Sequence, residues 1–384
     1  MRIAIQDVKL IQICVIASVF SQMEVFAPVF RPLMYAAWLI TIAYYILNNA
    51  RHIALQKYTK IYLFSYGMII VMCILATMFG QNHLNGNYLH IMAIPLLVTL
   101  VGDFFGISMS REGLQKILKT YLISAVLYAL WVNITYYASY SNWLKQTMYA
   151  FVQKNSAAQI WSAGVLIALL LIEYKSKFEK TIGYVSPAYL VIVCGISQCR
   201  TALLALAVIV CAYILLKSKH KLRGGIIIGL ACIAVWNLPL TRKFIDQALF
   251  LTKYAGADLN TFSSGRLGHW ARAIEVFSEN MFFGVGQYYV DCSYLCILAE
   301  LGLFGFILVE IIWFFRAFLN FKIRNSYTKD FLFCLTIFYL VESVLEGYPP
   351  FGPGVSSFMF WFLSATFTRS MNDNLKASAE EVNR

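Results

Sequence analysis

Arg200 opens the apolar run of "SQCRTALLALAVIV", and Arg266 and Arg272 stand in "SSGRLGHWARAIEVFSENMFFGVG", a polar interruption of an otherwise apolar chain. A guanidinium is a permanently charged, rigid fork that matches two phosphate oxygens at once. A charge held within or against an apolar layer is costly, so such a residue is a functional candidate by default. Arg200 opens an apolar run with almost no loop before it; its bland alternative is an arginine that snorkels to headgroups and anchors a hairpin. Arg266 and Arg272 have a bland alternative in lipid-phosphate contact from a surface helix. Together the three suit a diphosphate carried by a lipid. Lys154 and Asn155, in "VQKNSAAQ", can add a further donor, although a helix-end lysine is often only solvated.

The acids and the histidine carry a different chemistry. Asp291 precedes an apolar helix, where it favours the positive helix end or serves as a general base. His269 is a second base candidate, or a solvated surface residue. Glu300, two turns into "DCSYLCILAELGLFG", is expected to face the interior as a partner for an arginine, as a neutral carboxyl or in catalysis. Glu342 and Glu346 sit at the end of another apolar run, ahead of the proline-rich "GYPPFGPG". The substrate-contact candidates are Lys154, Asn155, His269, Arg272, Tyr294, Glu300 and Glu342; the catalytic candidates are Arg200, Arg266 and Asp291.

These residues need a scaffold, and composition indicates its solvent. Only 13% of the 384 residues are charged and 60% are hydrophobic, against about 25% charged in a soluble domain. Runs of roughly 17–25 apolar residues, the length that spans a bilayer as helix, follow one another along the chain. The expected fold is an all-α polytopic membrane bundle of about twelve helices: 8–27, 32–48, 61–80, 88–107, 117–138, 156–173, 181–198, 200–217, 222–240, 293–318, 328–347 and 353–369. The chain reads as one integral membrane domain, 1–384, with a large extracytoplasmic loop at 241–292 and no signal-peptide cleavage site.

Charge sets the orientation. Of the 31 Lys and Arg, all but Arg31, Lys145, Lys154, Arg200, Arg242, Lys243, Lys253, Arg266 and Arg272 fall in alternate segments and the two tails. By the positive-inside rule those segments and both termini face the cytoplasm. The net charge of +12 is explained this way without nucleic acid. Within the long loop, Leu267, Trp270, Ala271, Ile274, Val276 and Phe277 form an apolar stripe, with Arg266, His269, Arg272 and Glu275 projecting elsewhere. That pattern predicts an amphipathic helix at the membrane surface, capped by Ser263 or Ser264 and ended by the glycines of "FFGVG". The nine cysteines have no metal-ligand or paired spacing; Cys199 and Cys292 fall near the same face and are the one pair that could bond. There is no P-loop, GxSxG or DxD, so nucleotide-driven transport, serine-type acyl transfer and metal hydrolysis lack support.

In this order, "SQCRTALLALAVIV", "SSGRLGHWARAIEVFSENMFFGVG" and "DCSYLCILAELGLFG" resemble the signature blocks of the O-antigen polymerase and O-antigen ligase superfamily. The resemblance covers roughly Lys154 to Gly305; the N-terminal half adds only a compatible helix count. It implies glycosyl transfer at the outer face of a bacterial cytoplasmic (inner) membrane, with an undecaprenyl-diphosphate-linked oligosaccharide as donor and no metal, nucleotide sugar or other cofactor. By position, Arg200 and Arg266 match arginines that bind the donor diphosphate. Membrane lipids, a chain-length regulator and a flippase are the partners it suggests. Ligases of the superfamily carry a His-Asn pair where this chain has Asp291 and Cys292, and an acidic residue there is more like the polymerases. The expected activity is therefore that of a Wzy-type polymerase of O-antigen, capsule or exopolysaccharide. The alternatives are a ligase passing glycan to a lipid or protein, and a lipid-linked sugar transporter or flippase.

Overall fold

The computed structural model describes residues 2–49, 55–78, 86–137, 154–217, 220–249, 251, 255–323, 326–352 and 356–382. Among them every regular element is a helix: α1 Arg2–Phe20, α2 Ala27–Asn49, α3 Lys57–Met78, α4 Gly86–Ser108, α5 Arg111–Tyr136, α6 Lys154–Leu170, α7 Lys177–Ile196, α8 Arg200–Lys217, α9 Lys221–Asn237, α10 Pro239–Leu249, α11 Leu259–Phe262, α12 Arg266–Glu279, α13 Ser293–Lys322, α14 Ser326–Leu345 and α15 Phe358–Val382. Among the described residues, five stretches are long and apolar enough to cross a membrane: Ala27–Asn48, Lys57–Met78, Leu89–Ser108, Arg111–Tyr136 and Ser293–Lys322. Each of the twelve expected spans overlaps a helix. Lys145 and Lys253, which the charge alternation also uses, lie outside the described residues.

Large aromatic side chains fill the middle of the bundle. Trp38, Trp161 and Trp361 are fully buried, with Tyr62, Tyr121 and Tyr128 beside them. Their rings meet edge to face, as Tyr62 meets Trp361 and Tyr128 meets Trp161, the geometry that the ring quadrupole favours. The buried Tyr121 and Tyr128 hydroxyls are satisfied by backbone carbonyls, donating to Ile160 and Gln22. At helix starts, Ser110 and Ser176 accept from the backbone N–H groups of Gly113 and Glu179, which caps α5 and α7 as short polar side chains do.

Several expected boundaries are corrected. The last helix does not stop near residue 369 but continues to Val382. The long segment after α9 carries the expected amphipathic helix as α12 and, in addition, α10 directly after α9 and the short α11. Gly265, not a serine, is the N-cap of α12, because its φ of 82° turns the chain in a way that glycine adopts without strain. Cys199 and Cys292 are both buried free thiols.

The stretch after α12 is held by a break in α13. Gly302 has non-helical φ/ψ inside that helix, and a broken helix leaves carbonyls and N–H groups without their i−4 partners. Residues 281–286 supply them. Val285 and Gly286 donate to the carbonyls of Ala299 and Glu300, while Leu303 and Phe304 donate to those of Met281 and Phe282. The two backbones approach so closely that a Cβ on Gly284 or Gly302 would collide with backbone atoms of the other strand. The glycines of "FFGVG" and "ELGLFG" thus let a loop replace one rung of a helix, which fixes the chain on the approach to Asp291.

Candidate functional site

Arg200 and Arg266 are the first residues of α8 and α12, and Lys154 lies on α6. The first turn of a helix carries free N–H groups and the positive end of the peptide dipole. Two helix starts, each adding a fixed cation, therefore converge with Lys154 on one place. They line a cavity of about 150 Å³ together with Asn155, Gln198, Thr201, Ser264 and Asp291. At about 30 Å³ per water, the space is enough for a charged group of few atoms. Convergent helix N-termini with arginine and lysine form an anion site of the kind that phosphates occupy.

Local chain geometry places each cation. The turn between α7 and α8 puts Gln198 at φ 55°; its carbonyl accepts from Lys154 Nζ at 3.2 Å and its side-chain amide donates to Gln247 O. Cys199 Sγ donates to the Lys154 carbonyl at 3.2 Å, so α6 and the α7–α8 turn hold each other. Arg200 donates to Phe262 O at 3.0 Å and to Ser264 Oγ at 2.6 Å, which ties α8 to the loop before α12. Ser264, at φ 61°, serves Arg200 and does not cap the helix.

Arg266 shares the inner face of α12 with Trp270 and Ala273, at positions i+4 and i+7. Ala273 and Val276 are the buried residues of this helix, while Leu267 and Ile274 are exposed. This corrects the expectation that Arg266 projects away from the packed face. Its Nε donates to Asp291 Oδ2 at 3.4 Å and its Nη2 to Glu346 Oε1 at 3.0 Å. Trp270 Nε1 donates to the Asp291 carbonyl at 2.9 Å. The other Asp291 oxygen accepts from the Tyr289 hydroxyl at 2.9 Å. The Tyr289 ring is largely exposed, yet loss of water around its phenol end, and then the Asp291 charge, raise its ionisation well above the ordinary range. Tyr289 therefore acts as a neutral donor to Asp291.

Glu346, just past α14, lies beneath the cavity wall. Besides Arg266 it accepts from Thr201 Oγ1 at 2.9 Å and from Asn155 Nδ2 at 2.7 Å. One turn earlier, buried Glu342 accepts from Gln159 Nε2 at 3.3 Å, and Ser356 donates to the Gln159 carbonyl oxygen. Glu342 thus extends the polar network inward and does not line the cavity.

The candidates accordingly separate. Lys154, Asn155, Arg200, Arg266 and Asp291 come together at the cavity. His269 is exposed on α12, with its ring beside Gly265. Arg272 is exposed and paired with Glu275 at 2.8 Å on the same helix. Tyr294 packs against the main apolar core. Glu300 is buried and accepts from Tyr288 N–H at 3.3 Å, so it braces the loop that leads to Asp291. Thr201, Gln198, Ser264 and Glu346 belong to the site without having been among the sequence candidates. Gln198 and Thr201 flank Arg200 in "SQCRTA", and the serine and glycine at 264–265 and the acid before "GYPPFG" are the other sequence signals they offer. Among the described residues, no three His, Cys, Asp or Glu side chains gather as a metal-ligand group.

Residues 185–309 match the family model described as O-antigen ligase. That segment carries Arg200, Arg266, Asp291 and Glu300; Lys154, Asn155, Glu342 and Glu346 lie outside it. The similarity supports the ligase and polymerase superfamily and does not separate its two activities. No curated protein matches the chain.

Proposed function

We propose that the chain is an integral membrane glycosyltransferase that joins lipid-diphosphate-linked repeat units into a polysaccharide at the outer face of the cytoplasmic membrane. The convergence of Lys154 with Arg200 and Arg266, the two arginines each at a helix start, on one small cavity carries this reading. In the reaction the bond between the anomeric carbon and the diphosphate oxygen breaks, and the diphosphate departs with the electron pair. The acceptor hydroxyl oxygen forms the new bond to that carbon and gives its proton to a base. Fixed cations and helix N-termini stabilise the charge that grows on the leaving diphosphate. Asp291, the carboxylate that lines the same cavity, is the base candidate favoured by position; exposed His269 is the less favoured.

The undecaprenyl carrier, the orientation with both termini cytoplasmic and the chain-length regulator and flippase belong to this proposal through the superfamily resemblance. A ligase is the second reading, supported by the description of the matching family model; Asp291 in place of a ligase histidine supports the polymerase. A transporter would place its binding groups near the bilayer midplane, often with repeat symmetry; the charge alternation puts these cations toward the outer edge, and the sequence has no evident repeat. A deletion strain distinguishes the first two. Loss of a polymerase leaves single repeat units on the acceptor, and loss of a ligase leaves none.

A further inference from the structure

Glu346 touches three of the groups that line the cavity, Arg266, Thr201 and Asn155, without lining it itself. It is 3% exposed. Its three donors approach both carboxylate oxygens, so it cannot swing aside when an anion enters. Arg266 also meets Asp291 through Nε. One guanidinium is therefore matched by two carboxylates, where one suffices to neutralise it.

The consequence follows from the charges before and after transfer, and it rests on the diphosphate reading above. The donor diphosphate is esterified at both ends. The product has a free terminal phosphate with a further ionisation near neutral pH, so it is the more negative of the two. A pocket of cations and helix N-termini alone would hold product harder than substrate, and turnover would stall on release. A fixed carboxylate behind Arg266 repels any anion in the pocket, and that repulsion grows with the anion's charge.

We infer that Glu346 is a resident counter-anion of the pocket, a positioning residue that weakens diphosphate binding and thereby speeds product release. It acts through Arg266 and touches no reacting atom.

The test uses the purified full-length protein in nanodiscs, with inorganic diphosphate and inorganic phosphate as probes. Glu346→Gln keeps the shape: its carbonyl oxygen still accepts from Arg266 and Thr201, and Asn155 can turn its amide to accept from the new NH₂ group. The variant should bind diphosphate roughly tenfold or more tighter, with a smaller gain for the less charged phosphate. Glu346→Asp, which keeps the charge, should return binding toward wild type. A side chain that only supported the fold would give weaker binding in Glu346→Gln. Equal or weaker diphosphate binding by that variant, alongside a wild type that binds the probe, overturns the inference alone. A wild type that binds neither probe overturns the diphosphate reading and the inference with it. If Glu346→Gln does not insert, Asp291→Asn is measured with the same probes; tighter diphosphate binding supports the counter-anion account, and unchanged or weaker binding overturns it.

Discussion

Two arginines at opposite ends of the bundle show what separates a binding arginine from a structural one. Arg316 lies on α13, on the order of 35 Å along the helix from Asp291. It is completely buried, with its guanidinium 3.7 Å from the Tyr58 ring centroid and Nη1 donating to Thr368 at 3.4 Å. Asp103, which accepts from Thr59, interacts with it electrostatically. Its Nε and Nη2 have no hydrogen-bond partner among the described residues. Arg266 is also mostly covered, yet its Nε and Nη2 are both held by carboxylates and it faces a cavity. One charge is sealed by an aromatic face and packing; the other is held by carboxylates that an incoming anion must compete with. Burial alone does not distinguish them. The open space and the convergent helix starts around Arg266 do.

The largest expected effect breaks this pair apart. Arg266→Ala or Arg200→Ala should lower polymer formation at least about a hundredfold, as loss of a leaving-group stabiliser does, while the protein still inserts. Arg316→Ala should do the reverse: the midpoint falls by several degrees, because removing one partner strands the remaining buried charge by roughly 3 kcal/mol, while folded molecules still bind diphosphate. Thermal melts and gel ladders on the same preparations check both. Equal behaviour of the two variants would dissolve the comparison.

Next in size is Gly302→Ala. A Cβ there meets the Phe282 backbone at a φ of 65°, so the variant should lose roughly 1–3 kcal/mol and release the loop that leads to Asp291. Protease cleavage within 281–290 would report it. Tyr289→Phe is milder. It removes one neutral donor from Asp291, about 1 kcal/mol, for a several-fold loss of activity. The raised ionisation of Tyr289 keeps that donor in place below the ordinary phenol range of about 10, and it is lost only as pH rises through the higher folded value. The deficit should therefore be constant between about pH 6 and 9; a deficit that changes within that range contradicts the assignment. Arg272→Ala should change neither ladder nor midpoint measurably, since an exposed i,i+3 pair contributes little.

The sequence made some of this visible for physical reasons. Apolar runs and basic alternation read directly as helices in a bilayer, and an arginine at the start of such a run is costly enough to draw notice. Hence Arg200 and Arg266 could be singled out at a distance of 66 positions. Partners were harder to find. Glu346 reaches Arg266 across 80 residues and Thr201 across 145, and no local pattern encodes such a contact. The face of α12 was misread for another reason. In lipid, a large apolar residue need not turn inward, so Leu267 and Ile274 could stay exposed while small Ala273 was buried. Arg266 then faced inward with Ala273. The break at Gly302 was also hidden, because a glycine within an apolar run looks like any close-packed helix position until the loop that replaces its hydrogen bonds is seen.

The most direct test gives purified protein a defined lipid-diphosphate-linked repeat unit and measures product length. Wild type and Arg272→Ala should build a ladder of repeat units with release of lipid diphosphate, and Arg200→Ala and Arg266→Ala should build none. Ladders from the last two variants, or no elongation by wild type, would contradict the account.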